Sequence, residues 1–329
     1  MSACGQIVAS DYVAPSWLWG SHMQTIWPAV FQPRAHVEYR RERIDTPDGD
    51  FWDFDWLSAN EQAAPDAPLI VLFHGLEGSS RSHYACAMMY AVAQRGWRGV
   101  VPHYRGCSGE VNRAARAYHM GDYEDVGGML HEIKRRVLPQ TPILAVGVSL
   151  GGSALINWLG RNGESDFLEA AAAISTPLDL LSCGKALDSI HGYIYTKNFL
   201  STLKPRAIHI AQNHPEKKID IIKLSTVRTL SEFDDYFTAP MHGFLDHDDY
   251  WHRASPRPWL SKIDTPTLLL NARNDPMVPE ATLPGIDEVS TALYIERPAQ
   301  GGHAGFPTSA GAEKAWMPRR VLAFFEQYL

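Results

Sequence analysis

The sequence predicts an α/β chain: a mostly parallel eight-stranded sheet with helices on both faces and a helical cap inserted after the sixth strand. Three observations carry that expectation. Short apolar runs, such as residues 69–73 and 143–146, alternate with amphipathic helical patterns. At Gly147-Val148-Ser149-Leu150-Gly151 a strand passes into a helix through a G-x-S-x-G turn. The alternation then lapses over about residues 178–259, where the pattern is mostly helical and carries Tyr193, Tyr195, Phe199, Phe233, Tyr236, Phe237 and Phe244.

Taken in order, residues 1–36 form an N-terminal arm, rich in Trp and Pro over 11–35 and without a clear period. A hairpin follows, with arms 37–44 and 51–57 about the turn Pro47-Asp48-Gly49-Asp50. In its second arm Trp52, Phe54 and Trp56 alternate with Asp53 and Asp55, the period of a half-buried strand. A polar loop covers 58–68. Strand 69–73 leads to a helix over 82–94 that Gly96 stops, and then to strand 99–102. The helix over 122–138 places Val126, Met129, Leu130, Ile133 and Val137 on one face. Asp122 is its expected N-cap, with Asp125 three residues on and Pro139 at its end. Strand 143–146 feeds Ser149, and a helix runs over 152–159. Strands 170–174, 267–271 and 291–296 complete the sheet, and a last helix spans 318–328 with Pro318 in its first turn. The core is therefore expected at 1–177 and 260–329, and the cap at 178–259.

The 329 residues carry a net charge of −7, which argues against a nucleic-acid partner, since such proteins present basic surfaces. Cys4, Cys86, Cys107 and Cys183 have neither C-x-x-C nor zinc spacing and read as free thiols in a reducing compartment. The N-terminus lacks the charged and apolar regions of a signal peptide. No run approaches the roughly 18 apolar residues of a membrane span, so the expected location is cytoplasmic.

Ser149 is the expected nucleophile. The G-x-S-x-G turn is so tight that side chains two residues to either side would collide with the adjoining strand and helix, which calls for glycine at both. A serine is a weak nucleophile until a base takes its proton, usually a histidine oriented by a carboxylate. In this architecture the chain order is Ser, acid, His. Asp275, just past strand 267–271, is the candidate acid, with Asp179 after strand 170–174 as its rival. His303, among Gly301, Gly302 and Gly305 after the last strand, is the candidate base. His74, His119, His242 and His247 are candidates for structure or substrate contact. The backbone N–H groups of Leu150 and of Leu76, in the glycine-containing loop 74–80, are the candidate oxyanion donors. Those glycines form neither a phosphate loop nor a dinucleotide fingerprint, and no cofactor is implied. The run Asp246-His247-Asp248-Asp249 reads as a polar loop, and no metal site is expected.

Several segments together carry a family resemblance. They are Ser21-His22-Met23-Gln24-Thr25-Ile26, His74-Gly75-Leu76-Glu77-Gly78-Ser79, Arg105-Gly106-Cys107-Ser108-Gly109, Tyr118-His119-Met120-Gly121, the elbow at Ser149, Asn274-Asp275-Pro276 and Gly302-His303-Ala304-Gly305. Over nearly its whole length the chain resembles the YheT-like (EMB-8 type) branch of the α/β-hydrolase superfamily. That resemblance implies an α/β-hydrolase fold and a carboxylic-ester hydrolase, with Ser149, Asp275 and His303 as its triad. The substrate expected is a small-molecule ester with an apolar acyl group. Two other readings share these residues: an O-acyltransferase with an alcohol acceptor, and a binding protein on the same fold without activity. A peptidase would need a path for peptides past the cap.

Overall fold

The computed structural model describes residues 5–162 and 166–329; Cys4 lies outside them. Among the described residues nine strands form one sheet: β1 (Gln6–Val8), β2 (Tyr39–Asp45), β3 (Phe51–Leu57), β4 (Leu69–Phe73), β5 (Arg98–Pro102), β6 (Ile143–Val148), β7 (Leu168–Ile174), β8 (Thr267–Leu270) and β9 (Leu293–Glu296). Their order across the sheet is β1-β9-β8-β7-β6-β4-β5-β3-β2. All neighbours are parallel except β5/β3 and β3/β2.

The expected count of eight strands is corrected to nine. The addition, β1, is three residues of the arm paired in parallel with β9. Its stability comes from that edge rather than from any apolar alternation of its own, so no local pattern announces it. The arm also holds a helix, α1 (Gly20–Val30), within the stretch expected to lack a clear period. Pro28 sits inside it, and its buried positions are Gln24, Thr25 and Pro28 while Met23 and Val30 are exposed, so its burial does not follow its apolar residues.

The remaining helices are α2 (His83–Gln94), α3 (Tyr123–Lys134), α4 (Leu150–Asn162), α5 (Leu180–Asp188), α6 (Tyr193–Asn213), α7 (Ile221–Thr226), α8 (Leu230–Phe233), α9 (Ala239–His242), α10 (His247–Ala254) and α11 (Trp316–Phe325). Strand side chains alternate between two cores. Leu69, Val71 and Phe73 of β4 pack with α3 and α4. Ile70 and Leu72 face α2 and α11 on the opposite side. Both faces are thus covered, as a parallel sheet requires. Helices α5 to α10 lie between β7 and β8 and have an apolar cluster of their own, including Leu203, Phe233, Phe237 and Trp251. Among the described residues no helix is long and apolar enough to cross a membrane.

Two local expectations change. Strand β3 is buried on both faces, not one. Its aspartates are covered by ion pairs: Arg43 grips Asp53 and Arg41 grips Asp55, each through two nitrogens. Asp122 stands at the N-cap of α3, but its side chain bonds Arg116 instead of the helix, and Asp125 bonds Arg105. The helix ends at Lys134, short of Pro139.

Candidate active site

The elbow places Ser149 at the tip of β6. Its φ is 53°, in the left-handed region that a non-glycine residue enters only under constraint. The flanking glycines are sterically required. A Cβ on Gly147 would lie 2.5 Å from Gly151 O, and one on Gly151 would lie 2.4 Å from Phe73 O. Real Cβ atoms do not approach oxygen so closely, so only hydrogen fits on either side.

Three residues distant in sequence converge here. Ser149 Oγ lies 2.8 Å from His303 Nε2, and His303 Nδ1 lies 2.8 Å from Asp275 Oδ2. Asp275 follows β8, and its Oδ1 accepts from the N–H groups of Met277 and Val278 at 2.8 and 3.1 Å. Those two bonds and the imidazole fix the carboxylate plane. Its rival Asp179 is elsewhere occupied: it caps α5, accepting from Ser182 N and Ser182 Oγ at 3.1 Å each.

Leu150 opens α4, so its N–H has no partner within the helix and points from a helix N-terminus. Leu76 lies in the loop after β4 and lines the same space as Ser149. That loop is braced from several sides. Gly75 N donates to Tyr84 Oη at 2.8 Å. Glu77, at φ 55°, receives bonds on Oε1 from Tyr118 Oη (2.8 Å) and from Arg206 Nη1 (2.7 Å). Arg206 belongs to α6, so an ion pair ties that helix to the loop. No sequence signal marked Arg206.

The arm reaches the site as well. Thr25 Oγ1 accepts from His303 N at 2.9 Å. Gln24 Oε1 accepts from both Asn274 Nδ2 (2.9 Å) and Gly301 N (3.0 Å), and Asn274 Oδ1 accepts from Gly302 N (3.1 Å). Gly305 passes so near α1 that a Cβ there would lie 2.1 Å from Gln24 O. Sequence reasoning singled out this segment without giving it a role. His22 itself reaches neither Ser149 nor His303; its Nδ1 lies 2.8 Å from Tyr195 Oη on α6.

The other histidines are placed apart from the Ser149–His303 contact. His74 is buried beside Tyr104 and His103, and burial lowers its pKa to about 3. His119 lines the space near Ser149, and burial holds it well below the usual imidazole range. His242 packs on His119, its pKa lowered by burial to about 4. His247 bonds Asp235 at 2.9 Å. Asp246 and Asp249 serve the start of α10, where Asp246 Oδ1 accepts from Asp249 N.

Ser149 stands at the junction of two cavities that share Leu76, Phe199, Met277 and His303 with it. The first is a narrow, apolar space of about 70 Å³ beneath α5, α8 and α10, walled by Leu180, Leu203, Phe233 and Trp251. One ionisable group in its wall stands out. Asp234 accepts from Thr238 Oγ1 and Trp251 Nε1, and burial pushes its pKa up to about 7. The second cavity, about 580 Å³, opens between α1 and α6.

Over residues 68–310 the chain matches the alpha/beta hydrolase fold family. It is 36% identical over 310 residues to YheT of Escherichia coli (strain K12), covering 94% of this chain and 91% of that one. The chain belongs to the α/β hydrolase family. Within it, this hydrolase falls in the YheT-like branch, which also takes in the phospholipase ABHD3 of Mus musculus, 32% identical over 328 residues and covering 98% and 79% of the two chains. The α/β hydrolase fold is shared with the Pyrococcus furiosus esterase Pf2001, at a TM-score of 0.59 and 16% identity, over 98% of this chain and 99% of that one.

Proposed function

We propose that this α/β hydrolase is a serine hydrolase of carboxylic esters, working through an acyl-serine. The carrying observation is the continuous contact from Ser149 Oγ through His303 to Asp275, opening onto an apolar cavity. In the reading, His303 Nε2 takes the Ser149 proton as Oγ attacks the ester carbonyl. Asp275 holds the Nδ1–H tautomer and stabilises the imidazolium that forms. The N–H groups of Leu76 and Leu150 receive the oxyanion, fixed before charge develops. Collapse of the tetrahedral intermediate expels the alcohol, which takes its proton from Nε2. Water, giving its proton to the same nitrogen, then attacks the acyl carbon, and the free acid leaves with Ser149 restored.

The two cavities divide the ester between them. The apolar one suits the acyl group, and the wider one suits the alcohol. Residues 178–259 act as a cap on a core of 1–177 and 260–329, supplying most of the apolar wall. The relative named a phospholipase supports ester chemistry at such a site. A cytoplasmic location is part of this reading, supported by the thiols Cys86, Cys107 and Cys183, which are free and buried. The decisive experiment is Ser149→Ala on a p-nitrophenyl ester. Turnover should disappear with the fold retained, and full activity in that variant overturns the reading.

A further inference from the structure

Charge is distributed unevenly over this molecule. In and around the sheet, arginines are matched to carboxylates: Arg41 to Asp55, Arg43 to Asp53, Arg105 to Asp50 and Asp125, Arg320 to Glu296. Residues 180–233 differ. They hold eight basic and four acidic residues, a net +4 in a chain of net −7. Arg206 pairs with Glu77. The other seven cations have no ion-pair partner among the described residues, although Lys204 Nζ donates to Val227 O at 3.1 Å and Lys217 Nζ to Met241 O at 3.2 Å. Three of the four acids are engaged by backbone: Asp188 receives Leu230 N and Ser231 N, Asp220 receives Lys223 N, and Glu232 receives Arg228 N and Thr229 N.

Large apolar side chains stand exposed on this same side. Ile190 is 87% exposed, and Tyr193 and Ile194, at the start of α6, are 57% and 56%. Across from them α1 ends in Val30, 67% exposed. The two helices are neighbours. His22 bonds Tyr195, and Val30 and Ile194 both line the wide cavity that holds Ser149. Lys197 lines that cavity too, and it shares an adjoining groove with Tyr193, Lys204 and Arg228. The mouth of the cavity is therefore rimmed by exposed apolar side chains and Lys197, with Lys204 and Arg228 on the groove beside it.

Each feature alone is ordinary; together they select an occupant. Unpaired lysines by themselves are a solvated surface. Apolar side chains by themselves fit a second copy of the chain. A two-fold contact through this face, however, would bring net positive charge against itself. A surface that is apolar inside and negative at its boundary satisfies both features. We propose that the α1–α6 face docks on a lipid surface bearing anionic headgroups. Ile190, Tyr193 and Ile194 enter the interfacial layer while Lys197, Lys204 and Arg228 meet the headgroups. The wide cavity then opens onto that surface, so an ester held there reaches Ser149 without crossing bulk water. Only this last consequence rests on the hydrolase reading; docking does not.

Flotation tests it, using the Ser149→Ala protein so that turnover cannot alter the lipid. Vesicles of phosphatidylcholine alone are compared with vesicles containing about 30 mol% phosphatidylglycerol. The protein should float with the anionic vesicles and bind about tenfold less to the neutral ones, or at about 0.5 M salt. Ile190→Glu and Arg228→Glu, both outside the Ser149 cavity, should each weaken binding about tenfold and, with Ser149 present, leave hydrolysis of a soluble short-chain ester unchanged. Absence of flotation at low salt overturns the proposal, as does undiminished flotation of a chain carrying both Ile190→Glu and Arg228→Glu, or equal binding to both vesicle types. A dimer that Ile190→Glu dissociates, with no flotation, assigns the face to a second copy and also overturns it. Esterase activity persisting in Ser149→Ala while flotation holds would remove the hydrolase reading and leave the docking surface standing.

Discussion

Thr25 Oγ1 accepts the backbone N–H of His303 at 2.9 Å, across 278 residues of chain. The same hydroxyl donates to Ser21 O at 2.8 Å, so its orientation is set from within α1. The arm thus fixes the loop that presents the imidazole to Ser149. Thr25→Val keeps the shape and removes the acceptor, leaving a buried N–H unpaired at a cost of about 1–3 kcal/mol. Because small misplacements of a reacting group are expensive, kcat should fall about 10- to 100-fold with KM little changed. Thr25→Ser restores the oxygen and should recover most of the rate. Steady-state kinetics on a soluble ester checks both; a Thr25→Val enzyme with the wild-type kcat shows the arm to be packing alone.

Glu77 and Arg206 join the loop carrying Leu76 to α6. Arg206→Met leaves a mostly buried carboxylate without its cation, while Glu77→Gln in the same chain removes the stranded charge. The single variant should lose about 1–3 kcal/mol of stability, and the double variant should regain part of it. Denaturant titration of the two singles and the double measures the coupling. Strictly additive losses would show that the pair does not act as a unit.

Gly151 admits no side chain, because a Cβ would meet the carbonyl oxygens of Phe73 and His74 at 2.4 and 2.6 Å. Both obstacles are backbone, one at the end of β4 and one just past it, and cannot turn aside. Gly151→Ala should cost about 3 kcal/mol or more and displace Ser149 from His303. Thermal unfolding and fluorophosphonate labelling of Ser149 read the two effects separately.

Asp234 gives the apolar cavity a pH dependence. Burial raises its pKa to about 7, so it is neutral on the acid side and charged on the alkaline side. KM for an apolar ester should therefore rise between about pH 6 and 8, and Asp234→Asn should flatten that rise. The stability consequence has a definite sign. A folded pKa above the unfolded one gives stability that is complete below about pH 4 and lost as pH rises through about 7. Over that window Asp234→Asn should lose about 4 kcal/mol less than the wild type. An identical pH profile in the two proteins rules this out.

The parts of this protein that the sequence determined by itself are those set by local rules. The G-x-S-x-G elbow is a steric necessity among five adjacent residues, so it is readable without knowing what surrounds it. Strand–helix alternation reports a parallel sheet because each apolar run must be covered on both faces. The order of Ser149, Asp275 and His303 along the chain is likewise visible, since each follows an apolar strand. Tertiary packing decided the rest. Strand β1 exists because β9 offers it an edge, and β3 is buried throughout because Arg41 and Arg43 neutralise its aspartates. The Thr25–His303 bond and the Glu77–Arg206 pair depend on which surfaces meet across 278 and 129 residues of chain. No periodicity encodes such a meeting: a hydroxyl or a guanidinium has the same local pattern whether it faces water or a loop of the fold, and only the closed fold gives it a partner.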